Sequence, residues 1–95
     1  MLRAKTTNQF KRDFKLMQKQ HRDIEKLKTA MFSLQKQERL EYSHRDHKLS
    51  RNYEGHRDCH IEPDWILIYR IDREAQTITF TRTGAMRIYL SDTTH

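Results

Sequence analysis

Five consecutive apolar residues, Trp65, Ile66, Leu67, Ile68 and Tyr69, form the longest such run in this chain of 95 residues. A run this short, rich in β-branched and aromatic side chains and preceded by a Pro63–Asp64 turn signal, reads as a strand covered on both faces. Covering it constrains everything else. With 35% hydrophobic residues and a mean hydropathy of −1.06, the core around it has to be lean. A chain of this length is expected to make one domain, residues 1–95, with a single modest core. The run is far too short to span a membrane, and "MLRAKTTNQF" has no apolar export segment. The lone Cys59 forms no internal disulfide and suits a reducing cytoplasm. A cytoplasmic protein without a membrane partner is therefore expected.

The elements that cover the strand can be read upstream. "MLRAKTT" suits a short first strand, and Thr7 or Asn8 offers an N-cap oxygen. Phe10, Phe14 and Met17 recur at helical spacing to about His21. Asp23 then caps a second stripe of Ile24, Leu27, Met31 and Leu34. Two amphipathic helices joined by "HRD" make an antiparallel hairpin with one apolar side. Residues 38–55 are polar, show neither period, and read as a long loop of the kind that often carries function. After Gly55, "HRDCHI" reads as a strand, "EPD" as a turn, "WILIYRI" as the buried strand and "DREAQ" as a second turn. "TITFTRT" alternates with Ile78 and Phe80 inward, and Gly84 ends it. The expected fold is α+β, in the order β-α-α-β-β-β. It is a mainly antiparallel sheet with the helical hairpin on one face.

Charge narrows the partners. The formal net charge is +6, but residues 1–37 carry ten Lys/Arg against three Asp/Glu, and the rest of the chain is close to neutral. Such a basic segment suits RNA, DNA or an acidic protein, through phosphate attraction and counterion release. Read plainly, it is a solvated helix surface.

Three chemistries are disfavoured. His44, His47, His56, Cys59 and His60 invite zinc, but neighbouring strand residues point to opposite faces, so Cys59 and His60 cannot easily share one ion. With only Gly55 and Gly84 there is no glycine-rich phosphate cradle. Nothing distinguishes Cys59 from a buried thiol. No cofactor is expected. What remains is a set of polar groups at strand ends: His47 in the loop, His60 and Asp64 flanking a turn, and Arg82 leaving the last strand.

Metal-free RNA cleavage needs such a set. A base takes the 2′-hydroxyl proton, a cation stabilises the developing phosphorane, and an acid protonates the departing 5′-oxygen. Histidine titrates near neutrality and arginine's fork of donors matches phosphate oxygens. Trp65 offers a face for base stacking. Each also has a structural reading: His60 as a hydrogen-bonded strand residue, Asp64 as a turn cap, Arg82 as a carboxylate's partner and Trp65 as core.

The segments "FKRDFKLMQK", "RDHKL", "GHRDCHIEPDWILIYRI" and "TRTG" together resemble the YafQ branch of the RelE/ParE superfamily of bacterial toxins, over nearly all of residues 1–84. The resemblance implies the fold above and a ribosome-dependent endoribonuclease that cuts mRNA in the decoding site. It also implies neutralisation by a small antitoxin of the DinJ kind. By position it places His47, His60 and Asp64 among acid/base residues, Trp65 beside them and Arg82 at the scissile phosphate. Ribosome binding is expected from Lys11, Arg12, Lys15 and Lys19. The pattern breaks after "RTG", where members usually continue Thr-His and end in Leu-Phe. Here "AMRIYLSDTTH" puts Met86 where the general-acid histidine belongs, and methionine donates no proton. Residues 85–95 form an atypical tail, which we read as frameshifted. Two rivals remain: a ParE-like binder of a DNA-processing enzyme, and an RNA- or ribosome-binding module without chemistry.

Overall fold

The computed structural model describes residues 1–37, 46–48 and 55–85, the short middle stretch by its backbone alone. Within them lie β1 (Arg3–Thr6), α1 (Asn8–Lys19), α2 (Ile24–Gln35), β2 (Asp46–Lys48), β3 (Arg57–Glu62), β4 (Trp65–Asp72) and β5 (Thr77–Ala85). The strands form one sheet in the order β1-β5-β4-β3-β2. Only the β1–β5 pairing is parallel. That follows from topology, because the helical hairpin after β1 carries the chain back across one face of the sheet.

Caps start both helices. Thr7 Oγ1 accepts from the Phe10 N–H at 2.9 Å and donates to the Thr81 carbonyl at 2.8 Å, so one hydroxyl begins α1 and ties it to β5. Asp23 accepts from the Lys26 N–H at 3.4 Å at the start of α2. The inner stripes, Phe10 and Met17 on α1 with Leu27, Ala30 and Leu34 on α2, are buried. They meet Cys59, Ile61, Trp65, Leu67, Tyr69, Ile78 and Phe80 from the sheet. Ile66 and Ile68 alternate to the other face and are also fully buried. The strand is covered on both sides, as its composition requires.

Three readings from sequence are corrected. Within the supposed loop 38–55, Asp46–Lys48 form a strand paired antiparallel with β3. Three residues are too few to show a period; residues 38–45 and 49–54 lie outside those described. Glu62 belongs to β3, so the turn is Pro63–Asp64 alone. Gly84 does not end β5 but sits inside it, buried and opposite Ile66.

One irregularity positions side chains. The β4–β5 register passes from Tyr69↔Phe80 to Ile68↔Arg82, leaving Thr81 as an extra, bulged residue. Among the described residues, no helix is long and apolar enough to cross a membrane.

Candidate functional site

Alternation along β3 buries Cys59 and Ile61 against the helices and turns Asp58 and His60 to the opposite face. His60 Nε2 stands 3.9 Å from Asp58 Oδ2, with the histidine side chain 22% exposed and the aspartate buried. That distance is too long for a hydrogen bond and makes an ion pair only when the imidazole is protonated. Across the β2–β3 ladder, His47 is registered opposite Asp58. The backbone thus brings His47, Asp58 and His60 to neighbouring positions, although His47 falls inside the supposed loop. Asp58 is a residue that sequence reasoning passed over. Its signal was present: an acid two residues from a histidine in a strand shares its face.

Asp64 stands at the turn, 68% exposed, and engages the helical hairpin. Arg22, between α1 and α2, places Nη1 at 3.4 Å from Asp64 Oδ1 and from Glu62 Oε1, and Nη2 at 3.4 Å from Asp64 Oδ2. Lys26 Nζ adds a contact to Glu62 Oε2 at 3.3 Å. Asp64 therefore faces an arginine that spacing arguments did not foresee.

Trp65 corrects the stacking expectation. It is fully buried, and its Nε1 donates to Thr83 Oγ1 at 2.8 Å, while that hydroxyl donates to the Ile66 carbonyl at 2.9 Å. The Arg22 guanidinium lies 5.7 Å from the indole centroid. No face is open to a base, because the ring fills the core. Trp65→Ala is accordingly expected to cost about 3–5 kcal/mol of stability, lowering the melting temperature by more than about 10 °C. Thermal unfolding checks this, and a variant that lost RNA affinity with an unchanged melting temperature would contradict burial as its role.

Arg82 is held by a carboxylate, the structural reading of it. Its Nε donates to Asp13 Oδ2 at 2.8 Å and its Nη2 to Asp13 Oδ1 at 3.3 Å; the side chain is 28% exposed. Asp13 was missed, yet it stands out in retrospect as an acid on the Phe10–Phe14–Met17 stripe. Met86 lies outside the described residues.

On α1, Lys11, Arg12, Lys15 and Lys19 are all exposed. Lys11 and Lys15 flank an apolar groove of about 330 Å³ floored by Phe10 and Phe14. Among the described residues, no three His, Cys, Asp or Glu side chains group as metal ligands.

The sequence and the fold have counterparts among known proteins. The model of a family described as bacterial toxin of type II toxin–antitoxin system, YafQ, matches residues 2–87. An mRNA interferase toxin YafQ from Escherichia coli strain B / BL21-DE3 is 43% identical over 79 residues, covering 82% of this chain and 84% of that one. The crystal structure of YafQ from E. coli BL21(DE3) superposes with a TM-score of 0.84 at 38% identity, covering 94% of this chain and 98% of that one. The toxin in an E. coli DinJ–YafQ complex aligns with a TM-score of 0.82 at 38% identity, over 93% of this chain and 97% of that one.

Proposed function

The chain belongs to the YafQ family of bacterial toxins of type II toxin–antitoxin systems, and on that premise we propose that it is built for ribosome-dependent, metal-free cleavage of mRNA in the cytoplasm. The observation that carries the reading is the convergence of His47, Asp58 and His60 on one patch of the sheet, with Arg82 on β5 beyond β4. In this reading a base among His47, His60 and Asp64 takes the proton of the 2′-hydroxyl. The 2′-oxygen attacks phosphorus, and Arg82 offsets the charge that gathers on the phosphorane oxygens. The bond to the 5′-oxygen breaks, that oxygen takes a proton from an acid, and a 2′,3′-cyclic phosphate remains.

Position 86 is the acid's place by family resemblance, and Met86 cannot fill it. That substitution favours one second reading, a toxin fold that engages the ribosome and cuts slowly or not at all. The partner proposed for either state is an acidic antitoxin of the DinJ kind. The solved complex of the E. coli relative and the +7 excess of residues 1–37 support it.

Programmed ribosomes carrying labelled mRNA provide the test, with bare mRNA as control. Cleavage on the ribosome alone supports ribosome dependence, and equal cutting of bare mRNA refutes it. Binding should weaken steeply with salt. Replacing Lys11, Arg12, Lys15 and Lys19 together by alanine should lower the slope of log affinity against log salt by about 3. Indifference to both salt and substitution would make this helix face merely solvated surface.

A further inference from the structure

Asp13 occupies a helix position where the spacing of Phe10, Phe14 and Met17 calls for an apolar side chain, and it is only 6% exposed. Its carboxylate is met from three directions. Arg82 pairs with it through Nε and Nη2, at 2.8 and 3.3 Å, a two-point contact that orients the guanidinium plane. The Thr83 backbone N–H donates to Oδ2 at 3.2 Å, and Gln9 Nε2 donates to Oδ1 at 3.3 Å.

The backbone explains why an acid belongs here. β1 pairs with β5 only as far as Thr6↔Phe80, so β1 supplies no carbonyl for the Thr83 N–H, and Asp13 accepts it instead. The bulge at Thr81 re-aims the same stretch and lets Arg82 reach α1. Two departures from regular pairing converge on one arginine.

We propose that Asp13 is a positioning residue for RNA cleavage, holding the Arg82 guanidinium at the phosphate subsite and acting on RNA only through it. The proposal rests on the reading of Arg82 as the cation facing the scissile phosphate. Anchoring one edge of the guanidinium removes rotamer freedom that a loose arginine would surrender on meeting phosphate. Coulomb attraction by itself predicts the opposite sign. Deleting a negative charge beside Arg82 should tighten phosphate binding, whereas loss of positioning should weaken it.

The experiment uses the whole chain, labelled with ¹⁵N and titrated with a 2′-deoxy trinucleotide, which presents phosphates but has no 2′-hydroxyl to attack them. The Arg82 Nε–H and the β5 amides report binding, and thermal unfolding confirms that each variant is folded. Arg82→Ala is expected to weaken binding about tenfold, and Asp13→Asn about threefold despite the added positive charge. The double variant should bind no more weakly than Arg82→Ala alone, as required of a residue that acts through another. Should Asp13→Asn not fold, Asp13→Glu keeps the charge but shifts the carboxylate by one methylene, and the same threefold loss is expected of it. Parent-like or tighter binding by the folded Asp13 variant overturns the proposal, as does a double variant whose losses multiply. An unchanged affinity in Arg82→Ala shows instead that the arginine does not face phosphate, so the premise falls and the positioning role with it.

Discussion

Giving position 86 a proton donor again is expected to raise single-turnover mRNA cleavage on programmed ribosomes by about a hundredfold or more. In the proposed mechanism the 5′-oxygen departs as a poor leaving group unless it is protonated, and a thioether has no proton to give. The resemblance implies that the change at Met86 is not isolated, since "AMRIYLSDTTH" stands where the family's Thr-His and Leu-Phe ending is expected. The genetic code connects these changes. "AMRIYL" can be written GCC ATG CGG ATT TAT TTA, and reading from the base before ATG yields CAT GCG GAT TTA TTT, or His-Ala-Asp-Leu-Phe. A single-base deletion near the codons for Gly84 and Ala85 would account for the whole tail. Two chains test this: Met86→His alone, and one in which residues 85–95 are replaced by Thr-His-Ala-Asp-Leu-Phe. The replacement tail should recover cleavage and toxicity more fully, because it restores the surroundings of the acid as well. Coding DNA that lacks CATGCGGATTTATTT or a near variant in the shifted frame would sink the frameshift account. Two restored chains that cut no faster than the parent would place the defect elsewhere in the site.

The parts of this fold that repeat with a period were open to sequence reasoning. The stripes of Phe10 and Met17 and of Leu27 and Leu34 disclosed the hairpin, and the alternation of Ile78 and Phe80 disclosed β5. What escaped lacks a period or depends on distant partners. β2 is three residues long, and it is what carries His47 to its place opposite Asp58. Asp13 and Arg82 lie 69 residues apart, and no local rule joins an acid on a helix to an arginine beyond a bulge. Trp65 was ambiguous for a different reason. An indole at the start of an apolar strand can fill the core or offer a face to a base, and only the position of Thr83 Oγ1 beside its Nε1 decides for the core. For Asp64, the sequence showed the turn but not that Arg22 reaches across to it. The residue types of the candidate site could therefore be proposed from sequence, while the contacts that hold and orient them could not.

Once the acid is restored, His60→Ala is expected to lower the cleavage rate by about a hundred- to ten-thousandfold, with ribosome affinity changed less than about twofold. The separation of rate from affinity follows from where His60 sits. It points away from the core built around Cys59 and Ile61, so truncating its partly exposed imidazole leaves no cavity among the buried side chains. It is remote in sequence from the α1 lysines to which ribosome binding is assigned. Its near neighbour on the same face is Asp58, buried and 3.9 Å away. His47→Ala and Asp64→Ala should lower the rate as well. For Asp64, replacing Arg22 by alanine is the informative companion, since it removes that 3.4 Å pair and leaves the carboxylate in place. Melting temperatures of all the variants should stay close to the parent's, in contrast to Trp65→Ala. A residue whose replacement lowers affinity and rate by the same factor is then a structural or binding group. If His60→Ala behaves in that way, the histidine is a satisfied strand residue and the search for the base moves to His47.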